Sequence, residues 1–136
     1  MYLLLNTTTF RHDDNMETCR QHGLILPEPR SQEENDFLHN LNTDMFVLGM
    51  SDVTREDSWV WDSDGSPVIY TNWGSREPNG GREENCAVME KFEVENWADI
   101  PCASRPRLDL EPKILICQKY EGMYLLWLQC LSCYWY

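Results

Sequence analysis

Polar and apolar positions change rhythm once along this chain, near residue 45. Before that point the spacing is helical. The segment DDNMETCRQHG (13–23) puts Met16, Cys19 and the stem of Arg20 on one side of a helix that Asp13 or Asp14 would cap and Gly23 would close. SQEENDFLHNL (31–41) pairs Ser31 with Glu34 three residues on, a capping box, and then sets Phe37, Leu38 and Leu41 at helical spacing. Beyond residue 45, short apolar runs alternate with turn residues: MFVLGM, WVW, VIY, NCAVME, NWADIPC and KILICQKY. These are expected strands, with Asp64-Gly65 as a hairpin turn between Trp59-Val60-Trp61 and Val68-Ile69-Tyr70. Trp59, Trp61, Trp73 and Trp97 are assigned to the core, because most of them fall inside such runs. The expectation is an α+β domain. From TREDSWVW to NWADIPC runs a long, polar, turn-rich insertion, and loops of that length in a small domain are commonly functional.

Composition narrows the setting. A chain of 136 residues can bury one core, so one site is sought. With 23 Asp and Glu against 11 Lys and Arg, the surface repels phosphate backbones, which excludes nucleic acid and favours cations. Six cysteines point to an oxidising, extracellular and secreted setting. The opening MYLLL is shorter than the apolar core of an ordinary signal peptide and lacks its basic flank. Asn6-Thr7-Thr8 is a glycosylation sequon consistent with secretion. The apolar segment 123–136 is shorter than the roughly 20 residues of a spanning helix, so no membrane insertion is expected. His12, His22 and His39 have no partner at ligand spacing and are taken as packing or solvated residues.

The chemistry concentrates in SREPNGGREENC (75–86). A peptide bond before proline can be cis at modest cost, and a cis Glu77-Pro78 bond would aim the side chains of Glu77 and Asn79 at one point. Calcium takes about six to eight oxygens from carboxylates, amides and water, and Glu84 offers another. Paired acids such as Glu83 and Glu84 can in principle serve acid–base catalysis. Neighbours on a strand face opposite sides, however, and no Ser/His/Asp or Cys/His set accompanies them, so binding rather than an enzyme is expected.

Taken in order, CRQHG, SQEENDFL, LGMSD, WVWDSDGSPVIYTNW, EPN, ENC, NWADIPC and LICQKY resemble the C-type lectin domain, from about Asp13 to Tyr120. The resemblance implies a C-type lectin-like fold, with two helices flanking small antiparallel sheets and a long disulfide-supported loop region. It makes 13–120 the domain, leaves 1–12 as a truncated N-terminal strand region, and leaves 121–136 as an apolar tail holding Cys130 and Cys133. It implies the pairs Cys19–Cys117 and Cys86–Cys102. On the chain-entropy account, bridges closing about 100 and about 15 residues would contribute roughly 4.7 and 3 kcal/mol. It further implies that Glu77, Asn79, Glu84 and Asp99 hold calcium and the sugar, Asp99 through both its carboxylate and its backbone carbonyl. Two adjacent sugar hydroxyls would complete the ion's shell. The order Glu-Pro-Asn goes with mannose, glucose, N-acetylglucosamine or fucose, and Gln-Pro-Asp with galactose. The partners implied are glycans or glycoproteins, and oligomerisation would strengthen a weak single site.

Three positions depart from the family pattern. Ala98 stands where the Trp-Asn-Asp motif has asparagine, which removes one calcium oxygen and one amide donor. A hydrogen bond in a charged setting contributes roughly 1.5–3 kcal/mol, so affinity would fall about tenfold or more. Asn96 lies roughly 6.5 Å further along a strand and does not replace it. Asp52 and Glu56 have the spacing of an auxiliary calcium site, yet Gly80 replaces the aspartate that follows Glu-Pro-Asn, so that site is expected to be incomplete. The first-helix tryptophan is replaced by His12. Ala98 and the acidic surface motivate an alternative in which the protein binds a protein, ice or mineral surface without sugar.

Overall fold

The computed structural model describes residues 1–7, 9, 11–41, 45–90, 96–103 and 114–120. Cys130, Cys133 and the rest of segment 121–136 lie outside them, as does Thr8 of the sequon. Strand β1 (Tyr2–Asn6) pairs antiparallel with β6 (Ile114–Gln118), placing Leu3 opposite Cys117 and Leu5 opposite Leu115. Between them in sequence come helices α1 (His12–Gln21) and α2 (Gln32–Leu41) and strands β2 (Phe46–Ser51), β3 (Val60–Trp61), β4 (Cys86–Met89) and β5 (Trp97–Ile100). The latter four form an antiparallel sheet in the order β3-β2-β4-β5.

Strand periodicity divides the core between two faces. Phe46, Leu48 and Met50 of β2, Ala87 and Met89 of β4 and Trp97 of β5 join Leu38 of α2, Trp61 and Ile116 in one cluster. The intervening Val47 and Val88 join Cys19 of α1, Leu24, Leu26, Leu115 and Cys117 in the other. Because both faces are covered, β2 and β4 read as continuous apolar runs. Two disulfides form, Cys19–Cys117 between α1 and β6 and Cys86–Cys102 between β4 and the end of β5.

Several local expectations change. The N-cap of α1 is Arg11, and Asp13 and Asp14 occupy its first turn, where carboxylates favour the positive end of the helix. Its buried face is His12, Asn15 and Cys19, whereas Met16 is 40% exposed and Arg20 pairs with Glu17 at the surface. Gly23, at φ +68°, closes the helix: its N–H donates to the Arg20 carbonyl at 2.9 Å, and that of Leu24 to Cys19 at 3.0 Å. This is a Schellman motif, with Leu24 and Cys19 packed in the same cluster. His12 is buried, with Nε2 2.8 Å from Asp62 Oδ2. Burial disfavours its charged ring, but the hydrogen bond and charge of Asp62 outweigh this and raise its pKa.

At α2 the Ser31 hydroxyl accepts from the Glu34 N–H at 3.2 Å, while the Glu34 carboxylate reaches past Ser31 to the Arg30 N–H at 2.7 Å. Phe37 is 49% exposed and packs against Tyr2 rather than inside the core. The turn at Asp64-Gly65 forms, with Gly65 at φ +68° and the Trp61 N–H donating to the Ser66 carbonyl. Its second arm is not a strand: after a single bridge from Val60 to Pro67, the chain departs and leaves Ile69 87% exposed. Pro67 has no N–H to extend the ladder.

One polar contact ties helix to sheet inside the core. The Trp97 indole N–H donates to Asn35 Oδ1 at 2.8 Å, and both residues are buried. Asn35→Leu would leave that donor unsatisfied at a cost of about 1–3 kcal/mol. Urea denaturation is expected to show a loss of this size; unchanged stability would disprove the role.

Candidate functional site

The long loop is held along the outer edge of β5, where Trp73 forms a parallel bridge with Trp97. The Trp97 N–H donates to the Asn72 carbonyl at 3.0 Å, and the Trp97 carbonyl accepts from Gly74 at 2.8 Å. Its ring is surrounded by those of Trp61, Tyr70 and Trp73, at centroid distances of 6.4, 5.8 and 5.8 Å. Trp97 and Trp61 are fully buried, and Trp59 and Trp73 are half-buried. Asn72 Nδ2 donates to Asn96 Oδ1 at 2.8 Å. The chain then turns through Arg76, at φ +71°, to the Glu77-Pro78 bond, which is cis. Asn79 Nδ2 donates to Glu77 Oε1 at 2.8 Å, so the residues flanking the proline meet.

Two residues beyond Trp97, on the same face of β5, Asp99 reaches this corner. Only 5% exposed, it accepts the Asn79 N–H on Oδ1 at 2.9 Å and the Gly80 N–H on Oδ2 at 2.8 Å. Glu84, after a short 3-10 helix at Gly81–Glu83, folds its side chain across Gly80. A Cβ at position 80 would overlap the Cβ, Cγ and Oε2 of Glu84. Glu77, Asn79, Glu84 and Asp99 therefore converge, whereas Glu83 is exposed and Asn85 is turned back onto the Arg82 carbonyl. Ala98, between Trp97 and Asp99, packs on the opposite face of β5 against the apolar cluster.

Crowding sets the electrostatics. Glu77 is pushed up to about 7, first by loss of solvent, then by hydrogen bonding and repulsion from Asp99, with Glu84 adding to it. Burial, then the charges of Asp99 and Glu83, raise Glu84 as well. An oxygen-only donor set with several acids suits a hard cation such as calcium. Among the described residues, however, no three His, Cys, Asp or Glu side chains stand in metal-binding array. The Asp99 oxygens face backbone amides, although a carboxylate oxygen has lone pairs for a second partner.

A second acidic pair lies nearby. Asp52, 3% exposed, accepts the Asp57 N–H on Oδ2 at 2.9 Å and bonds Asn85 and Arg55 through its backbone, so it also caps the turn after β2. Asp52 Oδ1 and Glu56 Oε2 are buried without hydrogen-bond partners. Burial raises both pKa values; Asp52 and Asp57 raise Glu56 further, and Arg82 opposes this. A cavity of about 540 Å³ borders Asp52, Glu56, Arg82 and Asn85. Gly80 brings no side chain to it. The sequence reading missed the two backbone amides that Asp99 holds and the need for glycine under Glu84; the Gly80-Gly81 pair was their only signal.

Residues 9–108 match the family model described as Lectin C-type domain, and the chain belongs to that family. It is 36% identical over 109 residues to pulmonary surfactant-associated protein D of Bos taurus, covering 77% of this chain and 27% of that protein. The chain thus spans about a quarter of that relative's length. Among solved structures, the cow C-type carbohydrate-recognition domain of CD23, determined in the presence of GlcNAc2Man3 oligosaccharide, is 28% identical with a TM-score of 0.70, covering 85% of this chain and 84% of that one. The Ca2+-free form of a Ca2+-dependent type II antifreeze protein is 27% identical with a TM-score of 0.70, covering 85% and 88%. The fold described above is the C-type lectin fold.

A pH dependence follows from the raised acids. Between the ordinary 4.5 and about 7, Glu77 is ionised in the unfolded chain but still protonated in the folded one. The folded state then binds more protons, so stability falls as pH rises through this window. Glu84, Asp52, Glu56 and the raised His12 act with the same sign. In chelator, the melting temperature is expected to decline from pH 4.5 to about 7, and Glu77→Gln to flatten part of the decline. An equal decline in the variant would refute the assignment.

Proposed function

We propose that this protein is an extracellular, secreted binding module that captures glycans or glycoproteins through calcium at the Glu77–Asn79 corner. Glu77, Asn79, Glu84 and Asp99 are the ligands in this reading. The observation that carries it is the Asp99 clasp on the Asn79 and Gly80 amides, which brings an acid of β5 to a corner already holding Glu77 and Glu84. Calcium bound there would neutralise crowded carboxylates and offer remaining coordination positions to paired sugar hydroxyls. Asn79 would then present one amide to ion and sugar together, which supports mannose, glucose, N-acetylglucosamine or fucose over galactose. The CD23 domain, whose structure was determined with a mannose-containing oligosaccharide, is consistent with this choice.

Ala98 brings no amide to this corner, and monosaccharide binding is accordingly weak. Copies joined in an oligomer would restore avidity. Asp52 and Glu56 form the incomplete auxiliary calcium site, with two orphan oxygens on its side and glycine where a further acid would stand. The function is recognition, without catalysis. A second reading, capture of an ice, mineral or protein surface without sugar, is favoured by Ala98 and by the likeness to the Ca2+-dependent antifreeze protein.

Calorimetry separates the two readings. Calcium should bind, and methyl α-mannoside should then bind where methyl α-galactoside does not. Asn79→Ala should weaken both calcium and sugar by about tenfold or more, the loss of one charge-assisted contact. Gly80→Ala, which displaces Glu84, should weaken calcium while the fold persists. Sugar binding that survives in chelator would overturn the calcium reading, and tight calcium with no sugar response would favour the second.

A further inference from the structure

Beside the corner lies a groove that none of the calcium ligands enters. Trp59 and Trp73, with ring centroids 4.8 Å apart, wall it together with Val68 and Pro78, and Asp57 and Thr71 stand at its polar edge. Its volume of about 510 Å³ lies within the roughly 300–1,000 Å³ of small-ligand sites. Position is the first argument. Pro78 belongs both to this wall and to the corner, so a molecule leaving the corner on that side meets the groove at once.

Chemistry is the second argument. The Trp59 indole N–H is buried and finds no acceptor among the described residues, although buried donors are ordinarily satisfied. Unlike Trp61 and Trp97, which are 2% and 0% exposed, Trp59 and Trp73 remain partly open to solvent. Aromatic walls with a few polar groups at the edge suit a ring that has one apolar face and several hydroxyls. Backbone geometry agrees. Asp57, at the edge, is held at φ +60° with its N–H on Asp52, and strained residues of this kind gather at functional sites.

We propose that this groove is a second saccharide subsite, which receives the sugar linked to the one at the corner. The C–H face of that second ring lies against Trp59 and Trp73, and its hydroxyls bond Thr71 and Asp57. With a formal net charge of −12, the protein selects neutral rings over sialylated or sulfated ones. The proposal rests on the calcium-sugar reading and extends it from a monosaccharide to a linked pair.

Competition against immobilised mannan in calcium tests it. Methyl α-mannoside, the α1,2-, α1,3- and α1,6-mannobioses and octyl α-mannoside serve as competitors. For the wild type, at least one mannobiose should compete about tenfold better than methyl α-mannoside. Thr71→Arg, which fills the groove from an exposed position, should remove that gain and leave methyl α-mannoside within about twofold. Trp59→Phe, which shrinks the aromatic wall, should lose part of the gain; near-UV circular dichroism establishes that both variants are folded. No gain in the wild type, or a full gain in Thr71→Arg, overturns the subsite. A gain from octyl α-mannoside equal to that from the mannobioses also overturns it, because any alkyl chain would then suffice. If methyl α-mannoside competes without a mannobiose gain, only the subsite fails; if nothing competes, the calcium-sugar reading fails with it.

Discussion

One four-residue strand, β5, organises the loop that carries the candidate site. Trp97 and Asp99 are two positions apart on β5 and therefore point the same way. The first fixes residues 72–74 by two backbone hydrogen bonds and a ring of aromatic contacts; the second fixes residues 79 and 80 by two more. A loop with little repetitive hydrogen bonding of its own would otherwise retain most of its conformational entropy. Here, ordering it is offset by burying the Trp97 indole, whose N–H is met by Asn35 of α2. The sheet-side helix, the strand and the loop thus share one anchor, and Cys86–Cys102 keeps β5 beside β4 at its far end.

The same clamp creates electrostatic tension at the corner. Asp99 is drawn into a partly desolvated place by backbone amides, and its charge then weighs on Glu77 and Glu84. Such a cluster is relieved either by a proton or by a cation. Glu77 near neutrality shows the proton's side of that competition. Calcium would supply the other. Gly80 is part of the arrangement, because only a residue without Cβ leaves Glu84 room to lie across the turn.

The corner and the aromatic groove beside it share Pro78, so the two sites would act as one surface if a linked sugar pair is the ligand. The acidic pair Asp52 and Glu56 reaches the groove through Asp57, whose amide Asp52 holds. The loop therefore places acids, aromatics and a proline corner along a continuous edge of the domain. Trp59, Val68 and Trp73, which line its groove, also pack against the core cluster of Trp61 and Trp97.

Much of this was legible in the residues. The period change near residue 45 gave the helices and most strands, the Glu-Pro-Asn corner and the acids around it marked a candidate site, and the block order indicated the family. Local rules failed where tertiary contacts outvoted them. Met16 and Phe37 have helical spacing but lie at the surface, because His12, Asn15, Asn35 and Leu38 occupy the faces that meet the sheet. His12 became a buried ion-pair member only because folding brings Asp62, fifty positions away, within 2.8 Å. By itself the sequence determined periodicity, cysteine content and the donor types of the corner, since these depend on residue identity and short spacing. Which amides Asp99 clasps, where Glu84 lies and how far Glu77 is shifted were decided by tertiary structure alone, because they depend on strands and loops that meet through space.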